Sequence, residues 1–211
     1  MFIKQSGFSV ALRRFLFHQR HPNTLNTPTN LPEFSSRIRV FHSAIATFYA
    51  PSNMCGAGGM YRERIRANRG WKGKSRYDTV FVKVFEDDDH DTSSQIMCGM
   101  LVARVLLFFS FHDPLMDWEI PCALVNWFMP VSEQRDDVMG MWEFRLEMVG
   151  ARPTLEVIHL DSIVRAAHLL PHYGRGFLPE NFDAADSLDA FRSYFVNDII
   201  DYHAHELLQD S

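Results

Sequence analysis

The sequence predicts an α+β fold: a small curled antiparallel sheet or partial barrel followed by two C-terminal helices. Three observations carry that expectation. Five or six short β-like runs crowd between Arg37 and Leu160. Two of them, Met100–Phe111 and Ile120–Phe128, are almost continuously apolar, which demands cover on both faces. From Asp161 onward the apolar spacing changes from about two to about 3.6 residues, so strands precede helices rather than alternating with them. With 211 residues, 46% hydrophobic and 13% aromatic, the chain can bury a core without disulfides or metal.

Residues 1–35 differ from the remainder and are expected to be a disordered tail, leaving 36–208 as the folded domain. Met1–Phe17 is apolar with Lys4, Arg13 and Arg14, no acid precedes Glu33, and Asn23–Pro32 is a run of Asn, Thr and Pro. An acid-free, Arg-containing start also fits a mitochondrial presequence or a linker. Arg37–Ala50 is rich in Val, Ile, Phe, Thr and Tyr and reads as the first β region. Met60–Tyr77 is a basic segment in which Gly70 and Gly73 exclude a helix. Thr79–Phe85 alternates as a strand, and Glu86–Ser94 is an acidic, solvated loop. Met100–Phe111 and Ile120–Phe128 flank a loop with Asp113-Pro114. Gly140–Met148 and Leu155–Leu160 supply two further strands. A helix capped by Asp161 is predicted to run to Leu170, with Pro171 ending it. A second starts near Asp186 or Ser187, its stripe being Leu188, Phe191, Phe195, Ile199 and Tyr202.

The net charge of −5 conceals a split. Up to Arg76 there are 13 Lys or Arg and 2 acids; beyond it there are 8 and 24. Such asymmetry points to an anionic partner for one half, or to mutual neutralisation within the fold. Cys55, Cys98 and Cys122 form no C-x-x-C pair, which argues for a reducing compartment, nuclear or cytoplasmic. No apolar run reaches the ~18–20 residues of a membrane helix.

The strongest chemical feature is Arg62, Arg64, Arg66, Arg69, Lys72, Lys74 and Arg76, with Tyr61, Trp71 and Tyr77 beside them. Closely spaced cations neutralise phosphates, and interleaved aromatics such as Trp71 stack on bases, so these residues are the candidate nucleic-acid contacts. The competing reading is a solvated loop paired with the acidic half. Gly56-Ala57-Gly58-Gly59 lacks the G-K-[ST] ending of a phosphate loop. His168 and His172 have i, i+4 spacing, but Pro171 intervenes; His203 and His205 diverge on a helix, so no metal or cofactor is expected. Cys98 and Cys122 sit beside apolar runs as inert fillers, and no G-x-S-x-G elbow is present. No catalytic constellation emerges. Arg104 and Arg165 lie in apolar stretches and require carboxylate or carbonyl partners.

The segments RIRVFHSAIATFYAPSN, GGMYRERIRANRGWKGKSRYDTVFV, VARVLLFFSF, PCALVNWF, GMWEF, VIHLDSIVRAAHLLPHYG and SLDAFRSYFVNDIIDYHAHE resemble, in that order, the C-terminal region of basidiomycete transposases of the Plavaka type, in the Kyakuja–Dileera–Zisupton group. The resemblance spans Arg37–Glu206. Its most specific pieces are Val125–Phe128, Ile163–Pro171 and Tyr194–Asn197. Family members cut and join DNA through a carboxylate core upstream of this region, and that core has no counterpart here. The resemblance therefore implies a non-catalytic accessory domain contacting DNA or chromatin, with a protein-interaction or assembly domain, or an inactive relic, as alternatives. The run A-R-V-x-x-F-F followed by V-x-W-F-x-P also resembles bromo-adjacent-homology barrels, at the level of core residues only.

Overall fold

Two long strands organise the computed structural model of the chain, which describes residues 7–22, 24, 28, 30, 31, 33–51, 57–83, 92–115, 117–174, 177, 178 and 180–209. Cys55, Gly56 and most of the acidic run from Glu86 lie outside the described residues. In chain order the elements are α1 (Phe8–Arg20), β1 (Ile38–Phe41), β2 (Ser43–Tyr49), β3 (Met60–Trp71), β4 (Lys74–Tyr77), β5 (Thr79–Lys83), β6 (Met100–Asp113) and β7 (Trp118–Pro130). There follow β8 (Glu143–Leu146), β9 (Met148–Val149), β10 (Arg152–Pro153), β11 (Glu156–His159), β12 (Ile163–Ala167), β13 (Leu169–Pro171), α2 (Ser187–Ala190), β14 (Tyr194–Val196) and α3 (Tyr202–Leu208).

The fold is α+β, a nearly closed antiparallel barrel with three α-helices among the described residues. Its strand order is β12-β5-β6-β7-β8-β14-β13. The two ends of that order are consecutive in sequence. One bent segment, Ile163–Pro171, pairs through Arg165–Ala167 with Phe81–Thr79 of β5, then through Leu169–Pro171 with Val196–Tyr194 of β14. Near-closure thus follows from one segment that turns at His168 and pairs with both ends of the strand path. Phe81, Val102, Phe128, Phe144, Tyr194 and Val196 fill the interior, and Met97 and Leu208 pack into the same cluster.

The ribbon of β6 and β7 explains its own apolar composition. Its register shifts between Val105 and Leu107, a bulge that bends the pair. On the Val102 side it faces the barrel interior and, through Ala103 and Val105, the sheet of β2, β3 and β4. Beyond the bulge, Phe109 and Phe111 with Ile120, Cys122 and Leu124 face α1. Most of the ribbon is covered, as its sequence requires, with Trp118 and Met129 near its ends exposed.

Three sequence expectations are overturned. Where a disordered tail is expected, α1 folds, burying Phe8, Ala11, Leu12, Phe15 and Leu16 at helical spacing against Phe109, Phe111 and Val157. Each large side chain so buried contributes about 1.5–3 kcal/mol relative to exposure, enough in sum to fix a short helix. Where a helix is expected over Asp161–Leu170, only Leu160–Ser162 turns and the rest is β12 and β13. A short apolar run supports either period, and the free edges of β5 and β14 decide between them. The predicted helix through Tyr202 breaks after Ala190. Phe191 is extended, β14 completes the barrel, and α3 starts afresh where the Asp201 side chain accepts the Ala204 N–H at 2.8 Å. Ile199 and Tyr202, assigned to a buried stripe, are exposed.

Candidate nucleic-acid interface

The basic segment is a β-hairpin, not a loop. β3 pairs with β2 on one side (Arg66 opposite Ser43, Arg64 opposite Ile45, Arg62 opposite Thr47) and with β4 on the other. Alternation along β3 then sorts its side chains. Ile65 and Ala67 point inward to Val80, Ala103 and Val105. Glu63, on the same inward face, reaches β12, where its carboxylate accepts the Ala166 N–H. Arg62, Arg64 and Arg66 take the opposite, outer face. The tip is a two-residue turn, Lys72-Gly73, with φ of +48° and +84°. Positive φ at both positions suits the twist of a tight hairpin, and glycine meets it without steric cost. Between Asn68 and Trp71 the register shifts, placing Arg69 and Gly70 in a bulge where the Gly70 N–H donates to Asn68 Oδ1 at 2.8 Å.

The seven cations are not equivalent. Arg62, Arg64, Arg69 and Lys72 are exposed and form no ion pair among the described residues; Arg64 donates only to Ser43 Oγ, at 3.1 Å. Arg66 is half-buried, its guanidinium 4.4 Å from the Trp71 ring centre, and its own N–H donates to Asp78 Oδ2. Arg76 pairs with Asp78 at 2.7 Å. Lys74 pairs with Asp183, whose carboxyl is held below its ordinary value by the Ala185 N–H and then by Lys74. Trp71 serves the hairpin itself, carrying Arg66 and, at 5.8 Å, Lys72.

Behind the hairpin lies a cleft of about 720 Å³. Arg64, Lys72, Lys74, Arg76, Arg104 and Arg165 line it, along with the carboxylates of Glu63, Asp78 and Asp183. Both buried arginines have a carboxylate partner. Arg165, 5% exposed, meets Asp201 through both terminal nitrogens at 2.9 and 2.6 Å, and Glu63 at 3.8 Å. Its guanidinium lies 4.9 Å from the Phe48 ring, on which His203 stacks at 4.6 Å. The Asp201 carboxyl is pushed down chiefly by its hydrogen bonds to Arg165, whereas burial pushes Glu63 up. Burial, then Arg165, pushes His203 down. Arg104 donates to Asp189 at 2.6 Å and sits 5.5 Å from the Tyr77 ring.

The other candidates separate in space. His168 contacts Asn197, His172 lies 2.6 Å from Glu143, and His205 contacts Gln209. Among the described residues no three or more His, Cys, Asp or Glu gather as a metal site. The buried Cys122 thiol is pushed up to about 12 by burial and then by Asp161. Sequence reasoning missed Asp183 and Asp189, which stand more than a hundred and some eighty residues from the cations they hold. No helix among the described residues is long and apolar enough to cross a membrane. Compared with protein-family models, with curated protein sequences and with solved structures, the chain gives no match.

Proposed function

We propose that the protein is a non-catalytic nucleic-acid-contacting module whose β3–β4 hairpin binds DNA phosphates. One observation carries this reading: alternation on β3 and the bulge leave Arg62, Arg64, Arg69 and Lys72 exposed without a carboxylate partner among the described residues, on a hairpin whose inner face is locked into the core. Unpaired cations at fixed spacing exchange counterions for phosphates with little ordering cost. The resemblance to Plavaka-type transposases supports an accessory role on DNA or chromatin.

Binding of a short labelled DNA duplex to the full chain, measured over a range of salt, tests the proposal. Arg62→Ser, Arg64→Ser and Arg69→Ser together are expected to weaken binding and to flatten the log K against log salt slope by about 2.7 if each contacts one phosphate. Arg66 stays unchanged because it packs on Trp71. Equal affinity and equal slope in the folded variant would sink the reading and favour a protein partner for the acidic half.

A further inference from the structure

The cleft behind the hairpin shares Arg64, Lys72, Lys74 and Arg76 with the basic hairpin. Its two buried arginines differ in one respect. Arg165 holds Asp201 through both terminal nitrogens, with Glu63 nearby and Phe48 beneath it. Arg104, its side chain 10% exposed, engages a single carboxylate oxygen among the described residues, through Nη1 alone. The Nε of each has no hydrogen-bond partner among the described residues. That carboxylate, Asp189, is 59% exposed and sits on the single turn of α2. Six residues earlier Asp183 pairs with Lys74 on the hairpin. One segment therefore lays two carboxylates on two cations of the cleft, leaving the forked guanidinium of Arg104 with donors to spare.

We propose that this cleft is a second phosphate site for the strand held by the hairpin, and that Asp183 and Asp189 occupy it as intramolecular surrogates which an incoming phosphodiester displaces. The proposal rests on the reading of the hairpin as a DNA contact. A phosphodiester presents two oxygens to the Arg104 fork, where Asp189 presents one, and charge-assisted two-pronged pairs are the stronger kind. The volume lies within the ~300–1,000 Å³ of ordinary ligand sites.

The test is duplex affinity of the full chain with Asp183→Asn and Asp189→Asn, against Glu133→Gln and Asp137→Asn, an equal charge change at two exposed positions elsewhere. The cleft variant is expected to bind about three- to tenfold tighter than wild type, the release of two weak ion pairs. Arg104→Met added to it is expected to abolish the part of that gain due to Asp189. D183N alone leaves Arg104 paired and gains about twofold even if the double variant does not fold. Equal tightening by the control pair would overturn the cleft site in favour of overall charge. No tightening at all would overturn it too, while loss of binding in the Arg62, Arg64 and Arg69 variant would leave the hairpin reading standing. Inorganic pyrophosphate bound more tightly by the cleft variant, without tighter duplex binding, would reassign the site to free polyphosphate and overturn the strand contact.

Discussion

Arg62 and Arg165 are the same side chain in opposite settings. Arg165 points from β12 among Glu63, Asp201 and the Phe48 ring, its charge wholly compensated. Arg62 stands on the outer face of β3, one residue before Glu63, with no ion-pair partner among the described residues. The difference arises from strand alternation: Glu63 faces in and joins the Arg165 centre, while its neighbours on either side face out. Whether an arginine here holds the fold or offers charge to a partner is decided by register, not by residue type or local sequence density.

The largest effect separates the two uses directly. Arg165→Met leaves Glu63 and Asp201 facing one another without their cation, and breaking a buried pair from one side typically costs about 3–5 kcal/mol. Arg62→Ser, by contrast, stays within about 0.5 kcal/mol of wild type, as exposed substitutions do. Urea unfolding of the two variants measures both. Similar midpoints for the two would erase the distinction between structural and presented arginines.

The distinction was only half legible in the sequence. The seven cations and Trp71 could be picked out by density, but Arg66, Lys74 and Arg76 proved to be engaged within the molecule, through Trp71, Asp183 and Asp78. Their partners depend on pairing across β3 and β4 and on a segment over a hundred residues away, which no local pattern encodes. The strands at Arg37–Ala50, Thr79–Phe85, Met100–Phe111 and Ile120–Phe128 are readable because apolar residues carry their period. In β3 arginines carry it, so the alternation R-E-R-I-R-A reads as a basic segment, although Ile65 and Ala67 mark its inner face. α1 and β12 went unread for a different reason: both have spacing that only the complementary surface resolves.

A smaller effect tests whether the presented charges depend on the hairpin's geometry. Gly73 has φ +84° at the tip, where a β-branched side chain is strained. Gly73→Val is expected to cost about 1–2 kcal/mol locally and to speed amide exchange in β4 and the adjoining part of β3, with exchange in β6 and β7 unchanged. DNA affinity should fall with it, since Arg69 and Lys72 lose their fixed spacing. Faster exchange with undiminished affinity would show that the cations act as a loose cloud rather than as a register.

The smallest effect probes the compensated centre through pH. His203 lies against Phe48 and beside Arg165, and its pKa falls below the ordinary 6.5 because burial, then the neighbouring guanidinium, disfavour the imidazolium. The unfolded chain therefore takes up a proton at this residue before the folded chain does, and stability is lost as pH falls from about 7.5 through 6.5. Asp201 contributes elsewhere, its depressed pKa giving stability that disappears only below 3.8. Glu63 works in the opposite sense: its raised pKa means the folded state holds the extra proton between 4.5 and its shifted value, so acidification across that interval is stabilising. His203→Gln removes one of these contributions and leaves the other two. Urea midpoints at about pH 7.5 and 5.5 should then fall further for wild type than for the variant. Equal changes would mean that His203 is not held neutral by the Arg165 centre, and that the centre's charge is less closed to solvent than its packing implies.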